Sequence, residues 1–188
     1  MREKLINLMI DRIASWTDED IYAISLYVYD ECDNPCKPTV TLGYNTETQV
    51  RAQMASEVKW KPDNETEARW NYAFWIQNAF FCFGEGDTAR DVREWMTTRC
   101  LPYYEDDDEA WDDDCVYEEC RQITKEFVNE LVAIVQEIHA RGILTKKFGR
   151  ELPILIHELE YYPEIAQQNM QANGDALPEA FVTFCCGE

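Results

Sequence analysis

The sequence predicts an α+β fold, a mostly antiparallel sheet of about four strands packed against several helices, one of them long and central. Three observations carry that expectation. Residues 21–30 and 39–45 alternate at strand period on either side of a turn-rich loop, which reads as an antiparallel hairpin. Residues 115–140 carry Phe127, Leu131, Ile134 and Ile138 at helical spacing beside a second stripe of Val128, Val132 and Val135. The 188 residues are 46% apolar, ordinary globular usage. A chain this long buries roughly 70% of the surface its unfolded form exposes, so it needs no disulfide or metal to fold. A single domain over 1–188 is therefore expected.

The elements follow in order. Leu5, Ile6, Met9, Ile13 and Trp16 recur at helical spacing and predict an amphipathic helix over residues 3–15. In Ile21 to Asp30, Tyr22, Ile24, Leu26 and Val28 alternate with Ala23, Ser25, Tyr27 and Tyr29. Both faces are largely apolar, the mark of a central strand. Asn34-Pro35 and Lys37-Pro38 punctuate the loop that leads to the second strand, 39–45. Thr46 and Gln49 stand at capping-box spacing before a helix expected over 47–58. Trp70, Tyr72, Phe74 and Ile76 would share one face of a strand, and bulky aromatics favour that state, so residues 70–76 are expected as the third strand. Thr88 and Asp91 resemble a helix start, with Val92, Trp95, Met96 and Cys100 continuing at helical spacing to Leu101. After the long helix, Arg141-Gly142 suits a C-terminal cap. Leu152 to His157 reads as a fourth strand whose Pro153 places it at a strand start or sheet edge. Pro163 fits the first turn of a helix closed by Asn173-Gly174, and Pro178 to Phe184 suits a last short helix or strand.

Charge narrows the function classes. Asp and Glu number 37 against 17 Lys and Arg, a formal net charge of -20. Such a field repels nucleic-acid phosphate and anionic headgroups and attracts basic proteins. Neither nucleic acid nor membrane is expected as a partner, and no run reaches the ~20 apolar residues of a membrane span. The charged residues among the first sixteen fit a helix rather than a signal peptide, so a cytoplasmic protein is expected and Asn64-Glu65-Thr66 carries no meaning as a glycosylation sequon. The eight cysteines then read as free thiols rather than a disulfide framework.

The clearest local feature is an acidic tract studded with aromatics: Tyr103, Tyr104, Glu105, Asp106, Asp107, Asp108, Glu109 and Trp111. Carboxylates that steer a basic partner, with aromatic side chains as anchors among them, are what tight charged interfaces use. The plainer reading is a solvated loop whose last carboxylates, Asp112 to Asp114, favour the N-terminus of the long helix. The tract lacks the central glycine and the alternating oxygen ligands of an EF-hand loop. Cys32/Cys36 and Cys115/Cys120 have spacings tolerated by zinc, but Cys115 and Cys120 are about 500° apart around a helix and point in different directions. No metal and no cofactor is called for. His157 closes an apolar strand beside Glu158, and a satisfied structural histidine is its plainer reading. A catalytic pairing with a thiol such as Cys82 or Cys185, or with a carboxylate, is the other.

Two stretches, Glu67-Ala68-Arg69-Trp70-Asn71-Tyr72-Ala73-Phe74-Trp75 and Leu152-Pro153-Ile154-Leu155-Ile156-His157-Glu158-Leu159-Glu160-Tyr161, resemble a bacterial family catalogued only as a domain of unknown function. Proteins of this type are similar in size and acidity to immunity proteins of bacterial toxin systems, which bind and block a toxin domain. The resemblance implies one domain and a binding role, and it brings no catalytic residues. Charge, tract and resemblance together lead to the expectation of a non-enzymatic acidic binding protein, an immunity-type inhibitor of a basic toxin or nuclease. An enzyme using His157 with a thiol or carboxylate is the alternative.

Overall fold

The computed structural model describes residues 1–31, 34, 36–103 and 114–187, the side chains of residues 114, 115 and 117 excepted. Among the described residues, strands β1 (Ile21–Asp30), β2 (Pro38–Thr46), β3 (Phe81–Phe83) and β4 (Ile154–His157) form one sheet in the order β3-β2-β1-β4. β1–β2 and β2–β3 are antiparallel, whereas β4 runs parallel to β1, so the sheet is mixed. The central position of β1 agrees with its two apolar faces. Helices α1 (Arg2–Ser15), α2 (Glu47–Met54), α3 (Glu65–Trp70), α4 (Ala89–Thr98), α5 (Asp114–Ala140), α6 (Ile143–Phe148), α7 (Pro163–Asn173) and α8 (Glu179–Cys185) surround it.

One face of the sheet, built by Ile24, Leu26, Val28, Val40, Leu42, Ile154 and Ile156, packs against α1, α4 and α5 in the main core. From α1 come Leu5, Ile6, Met9 and Ile13, and from α5 come Phe127, Leu131, Ile134 and Ile138, the same stripes that predict those helices. Burying one such side chain contributes about 1.5–3 kcal/mol, so these two stripes alone anchor both helices. A bulge between Ile21 and Ala23 turns Tyr22 and Ala23 onto the opposite face. There they meet Trp70, Trp75, Leu155, Ile165 and Phe181. Thr46 caps α2 through a 3.1 Å bond from the Gln49 amide to its hydroxyl, as the spacing predicts. The long helix α5 ends where Gly142 takes φ 63°, a left-handed conformation that glycine adopts without steric cost.

The expected third strand is not one. Residues 65–70 form α3 and Tyr72–Phe74 a single 3-10 turn, and the third strand is Phe81–Phe83. Asn64 begins α3 by accepting from the Glu67 amide at 2.9 Å, and Asn71 begins the 3-10 turn by accepting from the Ala73 amide at 3.0 Å. Each cap lets the chain turn instead of extend. The buried aromatics are Trp70 and Trp75, five residues apart, which no strand would place on one face. At α4, Thr88 makes no side-chain cap; its hydroxyl donates to the Glu85 carbonyl and accepts from the Gly84 amide.

The outer edge of β4 is closed by side chains. Asn169 and Asn173, one turn apart on α7, treat it as a neighbouring strand would. The Ile156 amide donates to Asn169 Oδ1 at 2.9 Å and the Ile154 amide to Asn173 Oδ1 at 2.8 Å. Asn169 Nδ2 returns a bond to the Ile156 carbonyl at 2.7 Å, and Asn173 Nδ2 one to the Ile154 carbonyl at 2.9 Å. An exposed strand edge invites pairing with another chain, and this amide ladder removes the invitation. His139 supports it, its Nε2 lying 3.0 Å from Asn173 Oδ1 and its Nδ1 2.7 Å from the Glu151 carboxylate.

Candidate functional site

The residues singled out by the sequence fall in two places. Of the acidic tract, Tyr103 is described, while Tyr104, Glu105, Asp106, Asp107, Asp108, Glu109 and Trp111 lie outside the described residues. Tyr103 stands where the tract leaves the end of α4. Its ring is covered by the Arg93 guanidinium, 4.6 Å from the centroid, and its hydroxyl accepts from Arg93 Nη2 at 2.7 Å. A stacked and hydrogen-bonded Arg contact of this kind contributes about 0.5–1 kcal/mol at an exposed site.

A cavity of about 120 Å³ is lined by Tyr103 and Arg93, by Glu31, Cys36 and Lys37 of the β1–β2 loop and by Gly84 after β3. The loop is held by its own hydrogen bonds. Asn34 Oδ1 accepts from the Cys36 amide at 2.9 Å, and the Lys37 amide donates to the Asn34 carbonyl at 2.7 Å. Beneath the cavity, Cys36 Sγ meets Cys120 Sγ of α5 at 3.2 Å. The cavity is smaller than the ~300–1,000 Å³ usual for small-molecule sites. Its size and its mixture of charges suit a single inserted side chain better than a substrate.

His157 lies elsewhere, on the opposite face of the sheet. Its Nδ1 is 3.0 Å from the Glu158 carbonyl, which can only accept, so Nδ1 carries the proton and Nε2 accepts from the Ser25 hydroxyl at 2.8 Å. In direction this is the bond between a nucleophile and its base. His157 is 0% and Ser25 3% exposed. Tyr72, Tyr27, Trp75 and Tyr161 enclose the imidazole with ring centroids 4.7, 5.7, 5.7 and 6.0 Å away. Burial drives the imidazole down to about 4, so it is a neutral and weakly basic group at neutral pH. The expected thiol partners lie apart from it. Cys82 Sγ contacts the Tyr29 hydroxyl at 3.1 Å, and Cys185 packs among the aromatics beside α8, its thiol pushed up to about 12 by burial.

The two stretches singled out by resemblance meet here. The Tyr161 hydroxyl donates to the Trp70 carbonyl at 3.0 Å and accepts from the Tyr72 amide at 3.2 Å, and Trp75 Nε1 donates to the Arg69 carbonyl at 2.8 Å. Arg69 makes a two-pronged ion pair with Glu47 at 2.6 and 2.8 Å and lies over the Tyr22 ring at 4.8 Å. These stretches thus close the second core around His157. Three relations were not evident in the sequence: Ser25 with His157, Arg93 with Tyr103, and Cys36 with Cys120. Cysteine spacing flags partners within each segment, but it carries no signal for a contact between segments 84 residues apart.

No family model, curated protein or solved structure matches the chain. No helix among the described residues is long and apolar enough to cross a membrane, and no group of three or more His, Cys, Asp or Glu among them could hold a metal ion.

Proposed function

We propose that the chain is a non-enzymatic acidic binding protein, an immunity-type inhibitor that covers the cationic surface of a basic toxin or nuclease. The observation that carries the reading is an aromatic-bearing tract that starts at Tyr103 and holds five consecutive carboxylates, Glu105 to Glu109, in a chain of net charge -20. In this reading the carboxylates of Glu105 to Glu109 meet the Lys and Arg side chains that the partner uses on its own substrate. Tyr103, Tyr104 and Trp111 fill apolar recesses between them. The Arg93 side chain holds Tyr103, the first residue of the tract. The full enclosure of His157 speaks for binding over catalysis.

The alternative, an enzyme using His157, draws on the Ser25–His157 hydrogen bond. It would need the aromatic enclosure to open before a substrate could reach the hydroxyl.

The test is kinetic. Association with the captured partner is measured against salt for the native chain and for a variant carrying E105Q, D106N, D107N, D108N and E109Q. A control variant carries E19Q, E57Q, E160Q, E164Q and D175N, five exposed carboxylates elsewhere. The proposal expects the tract variant to associate at least tenfold more slowly with a flattened salt dependence, and the control to stay near the native rate. Equal rates for native chain and tract variant would remove the tract as the binding surface.

A further inference from the structure

We propose that Cys36 and Cys120 are a dithiol site that hydroperoxides convert to a disulfide, stapling the β1–β2 loop to the first turns of α5. The two sulfurs are 3.2 Å apart across 84 residues of chain, and both side chains are buried, 1% and 3% exposed. A disulfide needs the sulfurs to approach by about 1 Å more, to ~2.05 Å. One partner sits in a loop tied by the Asn34 turn and the other on a helix packed into the core, so the approach needs no rearrangement of the fold.

The cavity supplies the route. Cys36 lines it, and the first oxidation is assigned to this thiol. Burial, reinforced by the bond to Cys36, raises the Cys120 thiol above its ordinary value. In the first step the Cys36 sulfur attacks one peroxide oxygen, the O–O bond breaks, and a sulfenic acid and an alcohol (water, for hydrogen peroxide) are formed. In the second, the Cys120 sulfur attacks the sulfenic sulfur, the S–O bond breaks, and the hydroxyl leaves with the thiol proton as water. Two thiols are oxidised and one peroxide is reduced.

The consequence lies next to the acidic tract. Cys120 follows the tract on α5, and Cys36 lines the same cavity as Tyr103, where the tract begins. Oxidation therefore locks the loop that faces the tract's root. The chemistry stands or falls independently of the proposed partner.

The test treats the full chain with a slight excess of hydrogen peroxide, blocks remaining thiols, digests at acid pH and maps linked peptides by mass spectrometry. The expected product is a Cys36–Cys120 link, with a loss of two hydrogen atoms, reversed by dithiothreitol. Closing a loop of this length should raise the melting temperature by on the order of 10 °C over the reduced chain. Cys36→Ser or Cys120→Ser should abolish the link, whereas Cys100→Ser and Cys186→Ser, at exposed thiols, should leave it intact. Mapping of the native chain decides the matter even if a serine variant fails to fold. Links dominated by other cysteines, sulfinic acid on Cys36 without a link, or a tightly held zinc ion that blocks oxidation would each overturn the proposal.

Discussion

Replacing Asn169 with leucine isolates the amide ladder that closes the edge of β4. Asn169 is fully buried. It accepts from the Ile156 amide at 2.9 Å and donates to the Ile156 carbonyl at 2.7 Å and to the Ile165 carbonyl at 2.8 Å. Leucine has the same number and branching of side-chain heavy atoms and is somewhat bulkier, so no cavity is formed and the hydrogen bonding is lost. The two carbonyls are cushioned. Gln168 Nε2 still donates to the Ile156 carbonyl at 2.8 Å, and the Ile165 carbonyl lies within α7. The Ile156 amide has no such substitute, and a buried donor left without a partner costs about 1–3 kcal/mol. A loss of about 2 kcal/mol follows, which at about 2–4 °C per kcal/mol lowers the melting temperature by roughly 4–8 °C. Urea unfolding followed by tryptophan fluorescence measures the free energy, and hydrogen exchange at the Ile156 amide measures the cause. A change under about 0.5 kcal/mol, the ordinary range for surface substitutions, would refute the claim that α7 serves as a pairing partner for β4.

Two further predictions concern buried ionisable groups. Glu130, 5% exposed, binds Arg2 of α1 at 2.6 Å and Arg99 at the end of α4 at 2.7 Å. Replacing both arginines with alanine strands a buried carboxylate and should cost about 3–5 kcal/mol, whereas Glu130→Gln leaves two half-exposed cations that reach water and should cost less than half of that; equal losses by thermal unfolding would contradict this asymmetry. For His157, the native imidazole lies near 4 against an ordinary value of 6.5. Below pH 6.5 the unfolded chain takes up a proton that the native chain refuses, so stability falls between pH 6.5 and 4 by about 3 kcal/mol and no further below that. Urea unfolding of the native chain and of His157→Gln across this window should show the slope reduced in the variant, and unchanged slopes would place the acid sensitivity elsewhere.

Elements whose apolar residues face one way were legible. The stripe on α5 and the two faces of β1 followed from period, because side-chain direction along a helix or strand is set by local geometry, and Pro153, read as a strand start or a sheet edge, immediately precedes β4, which is also an edge strand. Residues 70–76 failed for a physical reason. Their alternation is real, but Asn64 and Asn71 spend their side chains on backbone amides and turn the chain. The mixed character of the sheet was not legible, since a four-residue strand carries no mark of the direction of its neighbour. For the sites, the enclosure of His157 depends on Tyr27, Tyr72 and Tyr161, which come from three separate segments. The Cys36–Cys120 contact depends on how α5 lies across the β1–β2 loop. Neither leaves a trace in local spacing. The tract was legible as composition alone, and its first residue is the part the structure describes.

The central claim is that the acidic tract holds a basic protein. The most direct measurement is affinity capture by the native chain from a lysate of its source, eluted first at low and then at moderate salt, with the tract variant run in parallel and the eluates identified by mass spectrometry. The account predicts one stoichiometric basic protein that leaves the native chain as salt rises and is not retained by the tract variant. A protein held equally by both, or held by the native chain regardless of salt, would contradict it.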